Sequence, residues 1–280
     1  MKNRIGYMQG RLVDRVDGKI QAFPVAQWRE EFPIAQRIGL CKMEWTLDDP
    51  GLEINPLCTT QGQAEIRKLS ASHGLTVASI TGDCFMQAPF WKCSGREQTD
   101  LLRKLDITIA AAGILGARHI VVPLVDNGSL DNPQQHRALH RLLIQRHTIL
   151  QKLDVHIAFE SDFKPEALRD FIADFPTDRF GVNYDIGNSA SLGYDPEQEM
   201  AAYAPRIINV HVKDRKLGGT TVPLGTGAGK MKEVLTGLKE IRYGGNFILQ
   251  TARAADDDHE AALRRYIAWT LENLERHFES

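Results

Sequence analysis

The sequence predicts a single (β/α)₈ barrel of the TIM type, and three observations support that prediction. Short apolar runs alternate eight times with longer amphipathic segments along all 280 residues. Strict alternation of this kind is typical of a parallel sheet with its helices outside. No linker rich in proline, glycine or serine interrupts the series, so one domain over residues 1–280 is expected. An open doubly wound sheet is the alternative, but no glycine-rich dinucleotide fingerprint follows the first strand.

The strand predictions rest on short apolar runs, such as residues 120–125 (Ile-Val-Val-Pro-Leu-Val), that end in polar residues or turns. Over 280 residues, eight strand–helix units average 35 residues each, which is a structural period and not a sequence repeat. In chain order, strands are expected at residues 4–10, 41–45, 77–83, 119–125, 156–161, 180–187, 207–214 and 247–251.

The helix predictions rest on amphipathic periodicity and on start and stop signals. Pro165 and Pro196 suit a first helical turn, and Gly39, Gly74 and Gly116 stand where C-terminal glycines belong. In chain order, helices are expected at residues 28–38, 63–72, 96–115, 134–153, 165–175, 196–203, 230–241 and 257–277.

Composition and charge exclude several classes of protein. With 42% hydrophobic and 25% charged residues, the chain has the composition of an ordinary folded domain and not of a disordered one. No apolar run approaches a membrane span, and the N-terminus lacks the apolar segment of a signal peptide, so a cytoplasmic protein without a membrane partner is expected. The net charge of −2 and the lack of a basic block argue against nucleic acid as a partner. The four cysteines form no CxxC pair and are expected to be reduced thiols.

Charged and amide side chains follow the ends of the predicted strands. In a (β/α)₈ barrel the C-terminal strand ends carry function, whereas the opposite end serves stability. Charged and amide side chains contribute little to packing of the barrel interior. They are therefore expected to lie together at the C-terminal opening of the barrel. They are Gln9, Arg11, Glu44, Asp83, Asp126, Glu160, Asp185, His211, Lys213, Gln250 and Arg253.

Three of these residues predict a metal site. Glu160, Asp185 and His211 end consecutive strands at matching depth, and carboxylate and imidazole groups suit a divalent cation. Such a cation polarises a carbonyl and stabilises a developing oxyanion, which suits chemistry at the neighbouring carbon. The alternative is that the three are separate hydrogen-bonded or paired groups.

The order of motifs resembles the xylose-isomerase-like sugar isomerase/epimerase superfamily. The motifs are Ala158-Phe-Glu160, Asn183-Tyr-Asp-Ile-Gly-Asn188, Asn209-Val-His-Val-Lys-Asp214 and Pro223-Leu-Gly-Thr-Gly227. The resemblance covers essentially the full length and implies a TIM barrel with a divalent ion, commonly Mn²⁺ and also Mg²⁺, Co²⁺ or Zn²⁺. It implies Glu160, Asp185 and His211 as the first three ligands, with the position of the fourth at Gln250.

Gln250 and Asn188 depart from the family pattern. At Gln250 relatives carry a glutamate, and an amide oxygen can ligate but brings no charge, so weaker metal binding is expected. Gln250 also cannot remove a proton, which argues against a two-base epimerisation by Glu160 and this position. Asn188 stands where many relatives place a histidine, and it is expected to bind substrate instead.

The resemblance implies a metal-assisted isomerase or epimerase that acts on a sugar or sugar phosphate. Glu160 could take a proton from one carbon and return it to the next, with Lys213 beside the enediolate oxygen, unless Lys213 pairs with Asp214. Two alternative functions stay open. If the substrate loses a β-hydroxyl from the same enediolate, the protein is a dehydratase, and if metal binding is weak, it is a carbohydrate-binding or regulatory barrel. Apurinic endonuclease shares the barrel but needs further histidines. The oligomeric state, a homo-oligomer included, stays open.

The remaining candidates have both functional and structural interpretations. Gln9, Arg11 and Arg253 could hold a phosphate or carboxylate, or form rim salt bridges. Glu44 and Asp83 could bind sugar hydroxyls or loop backbone. The glycine-rich residues 224–229 could receive an anion or only turn the chain. The apolar side chains near the mouth could wall the cavity against a sugar ring or pack within loops; they are Trp45, Phe85, Met86 and Trp91.

Overall fold

Eight parallel strands close into a barrel in the computed structural model, which describes residues 1–279. The barrel strands are β1 (Ile5–Met8), β2 (Lys42–Thr46), β3 (Thr76–Thr81), β4 (His119–Leu124), β5 (His156–Ser161), β6 (Phe180–Asp185), β7 (Ile207–Val212) and β10 (Phe247–Leu249). Neighbours in the barrel follow chain order, and β1 pairs with β10 to close it. The predicted fold class is therefore confirmed.

A small hairpin that periodicity did not reveal follows β7. Its strands, β8 (Asp214–Arg215) and β9 (Thr221–Val222), pair antiparallel outside the barrel. The predicted strand over residues 207–214 therefore ends early, at Val212, and the chain turns into the hairpin beside the barrel mouth.

Helices surround the barrel, and two short ones were not predicted. They run as α1 (Glu31–Ile38), α2 (Thr60–His73), α3 (Asp83–Gln87), α4 (Gly95–Leu115), α5 (Pro133–Ile144), α6 (His147–Leu153), α7 (Pro165–Ala173), α8 (Ile186–Leu192), α9 (Pro196–Tyr203), α10 (Met231–Glu240) and α11 (His259–Leu274). Both α3 and α8 begin at the end of a barrel strand, so those strands are shorter than expected. No helix among residues 1–279 is long and apolar enough to cross a membrane.

The predicted helix over residues 134–153 is two helices, α5 and α6. The chain breaks at Gln145 and Arg146, and the guanidinium of Arg146 forms an ion pair with Asp106 on α4 at 2.6 Å. The glycines expected at helix ends are confirmed, because Gly39, Gly74 and Gly116 all adopt left-handed backbone angles there.

The turn after β1 is held by a buried acid on α1. Glu31 accepts the backbone N–H of Gly10 at 2.8 Å and that of Leu12 at 3.2 Å. Gly10 has φ +87°, and a Cβ there would lie 2.7 Å from the carbonyl oxygen of Ala22, so the chain leaves the sheet here. The strand predicted over residues 4–10 consequently ends at Met8.

A polar layer fills the barrel interior just below its C-terminal mouth. Glu44 on β2 accepts hydrogen bonds from Ser79 at 2.6 Å and from Asn209 on β7 at 3.1 Å. Asn209 also donates to the side-chain oxygen of Asn183 at 2.9 Å. Because β2 and β7 are not neighbours in the barrel, the bond between Glu44 and Asn209 crosses its interior. This polar layer lies directly below the side chains of the candidate site and contacts them through Glu44 and Asn183.

Candidate functional site

The structure brings the three predicted metal ligands together at the ends of β5, β6 and β7. One donor atom each from Glu160, Asp185 and His211 lies within 4.8 Å of the other two. His211 Nδ1 is 3.1 Å from Glu160 Oε2 and 3.7 Å from Asp185 Oδ2. Asp185 and His211 are register partners on adjacent strands, which explains their equal depth. All three side chains are buried.

Glu44 fixes the orientation of the His211 ring. Its Oε1 lies 2.7 Å from His211 Nε2, so the Nε2–H is donated to Glu44 and Nδ1 faces the other two carboxylates. Burial would raise the pKa of Glu44, but His211 and the other donors hold it below its ordinary value. Glu44 is fully buried, so it lies beneath the cavity and does not reach the position expected for a contact with sugar hydroxyls.

Two asparagine side chains hold the Glu160 carboxylate. Asn183 donates to Oε2 at 2.8 Å, and Asn188 donates to Oε1 at 2.6 Å. Asn188 lies on α8, whose start is fixed because Asp185 accepts the Asn188 N–H at 2.8 Å. Asn188, which was expected to bind substrate, therefore also donates a hydrogen bond to Glu160.

Lys213 pairs with Asp185 and not with Asp214. Its Nζ lies 3.1 Å from Asp185 Oδ2 and 3.1 Å from the amide oxygen of Asn188. Burial opposes ionisation of Asp185, but Lys213 and His211 outweigh it and hold the pKa of Asp185 below its ordinary value. A cationic side chain therefore stands beside the three ligands at the barrel mouth.

The glycine-rich residues 224–229 surround the Asp214 carboxylate. The N–H groups of Gly225, Gly227 and Gly229 donate to it at 3.0, 2.9 and 3.0 Å. A Cβ on Gly227 would lie 2.2 Å from Asp214 Oδ1, so only glycine allows this approach. The anion that the loop receives is thus an internal carboxylate, which leaves Lys213 free to pair with Asp185.

A cavity of about 410 Å³ opens beside the cluster and is lined by Glu160, one of its three residues. Ligand pockets for small molecules begin at about 300 Å³, so the volume suits a monosaccharide. Six of the predicted site residues line it together with further acidic, basic and apolar side chains. The lining includes Ile20, Gln21, Asp83, Met86, Asp126, Glu160, Asp162, Asn188, Leu192, Lys213, Arg215 and Gln250.

Gln21 is a site residue that the sequence analysis missed. Its amide nitrogen donates to Asp83 Oδ2 at 2.6 Å, and its amide oxygen accepts from Gln250 at 3.0 Å and from Arg11 at 3.1 Å. Thr81 donates to the other oxygen of Asp83 at 2.9 Å. Burial raises the pKa of Asp83 to about 6. Gln21 lies in the long loop between β1 and α1, where no periodicity marks a side chain as functional.

Arg11 and Arg253 connect loops through hydrogen bonds to backbone carbonyl oxygens. Arg11 donates to the carbonyl oxygens of Thr251 at 3.0 Å and Ile20 at 2.6 Å. Arg253 donates to the carbonyl oxygen of Val13. Neither side chain lines the cavity, so the structure does not bring the two guanidinium groups to a ligand there.

Gln9 and Trp45 are also fully buried below the cavity. The amide oxygen of Gln9 accepts the Thr46 N–H at 3.0 Å, which joins the ends of β1 and β2. Trp45 donates to Asn55 at 3.0 Å and packs edge-on against Trp28. These residues support the wall of the barrel, and Trp45 lies on β2 and not in a loop.

The donor set fits a divalent cation. Two carboxylates and an imidazole whose outer nitrogen is held by a third carboxylate form a common arrangement for metal ligands. The amide oxygen of Gln250 is buried without a hydrogen-bond partner among residues 1–279, and Gln250 lines the same cavity. Glu160, Asp185 and His211 could thus hold a cation, and Gln250 has an oxygen to offer as a fourth ligand.

Comparison with solved structures shows the same fold in proteins of low sequence identity. A xylose isomerase domain protein from Planctomyces limnophilus is 17% identical with a TM-score of 0.74, and 99% of each chain is covered. A D-psicose 3-epimerase crystallised in the presence of D-fructose is 12% identical with a TM-score of 0.76, covering 97% of this chain and 99% of that one. The zinc-bound IOLI protein is 14% identical with a TM-score of 0.72, covering 99% and 100%.

Sequence comparison identifies the family. A search of curated proteins finds no significant match. The family model described as xylose isomerase-like TIM barrel matches residues 32–272, which contain seven of the eight barrel strands and all three clustered ligands. The chain therefore belongs to the xylose isomerase-like TIM barrel family.

Proposed function

We propose that this chain is a metal-assisted sugar isomerase or epimerase that acts at a carbon next to a carbonyl. The observation that carries the proposal is the Glu160 carboxylate, which belongs to the three-ligand cluster and also lines the cavity. The names of similar structures support it, since they include a D-psicose 3-epimerase, an L-ribulose 3-epimerase and a 3-keto-D-glucoside 4-epimerase from E. coli.

A divalent cation at the cluster would polarise the substrate carbonyl and make the neighbouring C–H more acidic. Mn²⁺ is the favoured ion, with Mg²⁺, Co²⁺ and Zn²⁺ as alternatives, and the zinc bound in the structure of the IOLI protein supports the proposal of a metal. The uncharged Gln250 in place of a carboxylate is expected to weaken binding, because it adds no attraction for the cation.

Glu160 is proposed as the group that removes the proton. Its two oxygens accept one hydrogen bond each from Asn183 and Asn188, and each carboxylate oxygen has two lone pairs. The amide donors orient the carboxylate without neutralising it, so a lone pair stays available for the substrate C–H. Proton transfer by a positioned carboxylate is the step that an isomerase or epimerase of this class requires.

Lys213 is proposed to stabilise the negative charge that develops on the substrate oxygen. Its ammonium group has three N–H donors, and two of them are directed at Asp185 and Asn188. Lys213 lines the cavity, so the third donor can reach a bound substrate. A cation held in a desolvated site stabilises an oxyanion strongly, because it need not reorganise during the reaction.

An unphosphorylated sugar suits the cavity better than a sugar phosphate. Asp83, Asp126, Glu160 and Asp162 line it, against the two cations Lys213 and Arg215. Carboxylates accept hydrogen bonds from hydroxyl groups but repel a phosphate. Both cations already bond to Asn188, which further reduces their capacity to hold a phosphate group.

The proposal is tested by hydrogen exchange in D₂O. The protein is incubated with Mn²⁺ and D-fructose or L-ribulose, and ¹H NMR follows the C–H signals next to the carbonyl. We expect deuterium to replace one such hydrogen, exchange to fall at least about a hundredfold after chelation, and Mn²⁺ to restore it. Binding of these sugars without exchange would favour a carbohydrate-binding barrel, and a product lighter by one water would indicate a dehydratase; either result would contradict the proposal.

A further inference from the structure

We infer that Asp83 is a second proton-transfer residue of this site and protonates the substrate from a different wall of the cavity than Glu160. The inference rests on the proposed function. Asp83 and Glu160 both line the cavity. Asp83 begins α3 shortly after β3 ends, Glu160 lies on β5, and β4 separates these two strands in the barrel. Inversion of a carbon requires removal of a proton from one face and delivery to the other, which a single carboxylate on one wall does not provide.

The other side chains of the cavity are less suited to this step. Gln250 carries an amide that neither gains nor loses a proton near neutral pH. Lys213 and Arg215 are strong bases that are tied to Asn188 on the side of the clustered ligands. Asp126 is exposed to solvent. Asp83 lines the cavity as well, and both of its carboxylate oxygens accept hydrogen bonds from side chains that also line it.

The surroundings of Asp83 favour a carboxyl group that exchanges its proton easily. Gln21 donates to one oxygen at 2.6 Å and Thr81 to the other at 2.9 Å, which fixes the plane of the group. Burial, together with the nearby Asp48 carboxylate, raises the pKa of Asp83 to about 6. A group with a pKa close to neutral is partly protonated at the working pH and can act as the acid.

Gln250 takes part in this arrangement as a positioning residue. Its amide nitrogen donates to the amide oxygen of Gln21 at 3.0 Å, and Arg11 donates to the same oxygen at 3.1 Å. Two donors on that oxygen leave the NH₂ end of Gln21 directed at Asp83. The amide at the end of β10 therefore orients an acid at the end of β3 and does not transfer the proton itself.

The step balances in protons and electrons. The substrate C–H bond breaks as an O–H bond forms on Glu160, and the electron pair moves to the carbonyl oxygen. The O–H bond of Asp83 then breaks as a new C–H bond forms on the other face, and the carbonyl is restored. Glu160 ends protonated and Asp83 ionised, and exchange with solvent returns both groups to their starting state.

The test separates exchange from inversion in D₂O with D-fructose and L-ribulose as probes. In Asp83→Asn we expect deuterium incorporation within about tenfold of wild type, while formation of the epimer falls at least about a hundredfold. The surface change Asp131→Asn is the matched control and is expected to leave both rates unchanged. Metal titration and thermal melting of each variant report on folding and on the cluster.

The opposite outcomes are equally distinct. Equal epimer formation in Asp83→Asn and wild type, or equal loss of exchange and inversion, would overturn the role of Asp83 while leaving the proposed function in place. Absence of exchange in the wild type would overturn both. Should Asp83→Asn not fold, Gln21→Leu removes the donor to Asp83 but keeps the acid. We expect it to lower the ratio of epimer to exchange about tenfold, and an unchanged ratio would count against the inference.

Discussion

Glu160→Gln is expected to reduce hydrogen exchange at the carbon next to the substrate carbonyl at least about a thousandfold. The change removes the proposed base and also one charged ligand of the cluster, while the amide keeps the size of the side chain. The rate is measured by NMR in D₂O with D-fructose at saturating Mn²⁺. Glu166→Gln, at an exposed position in the first turn of α7, is the matched control and is expected to exchange at the wild-type rate.

Metal affinity must be measured alongside this rate, because Glu160 has two proposed roles. A variant that still binds Mn²⁺ at the concentration used but does not exchange has lost the base. Exchange at the wild-type rate in Glu160→Gln would contradict the assignment of Glu160, whatever the affinity.

Glu44→Gln is expected to weaken Mn²⁺ binding by about 10- to 100-fold, although Glu44 is not a ligand. The carboxylate accepts the Nε2–H of His211 at 2.7 Å and so fixes the ring with Nδ1 facing the cluster. Its negative charge also makes Nδ1 more basic and therefore a stronger metal ligand. An amide oxygen can accept the same bond but carries no charge. Isothermal titration of the metal measures the change.

Ser79→Ala is the control for the Glu44 prediction. Ser79 donates to Glu44 Oε2 at 2.6 Å, so its removal leaves the charge and the bond to His211 in place. We expect an affinity within about threefold of wild type, because one neutral hydrogen bond contributes little here. Equal affinities in wild type and Glu44→Gln would show that the orientation of His211 does not depend on this charge.

The sequence was sufficient to predict the barrel and the clustering of three of its side chains, for a common physical reason. In a parallel barrel the strand ends share one edge, so Glu160, Asp185 and His211 are neighbours wherever their helices lie. The periodic alternation of apolar runs and amphipathic helices marks those ends without knowledge of the loops. Predictions that depended only on strand order were therefore the most reliable.

Predictions that depended on side-chain direction were less complete. Glu44 was expected at the end of its strand, but β2 continues to Thr46. The Glu44 side chain contacts His211, 167 residues later in the chain, in the barrel interior. Arg11 and Arg253 donate to backbone carbonyls in loops, which every residue has and which no sequence pattern marks. Gln21 lies in a loop without periodicity, so its place beside Asp83 depends on the closed fold.

Pulsed EPR of Mn²⁺ added to the protein tests the central claim most directly, namely that Glu160, Asp185 and His211 form one metal site. The account predicts one bound Mn²⁺ per chain, with hyperfine coupling to a single histidine nitrogen, because only Nδ1 of His211 faces the cluster. Failure to bind Mn²⁺ at millimolar concentration, or a bound ion without nitrogen coupling, would contradict it.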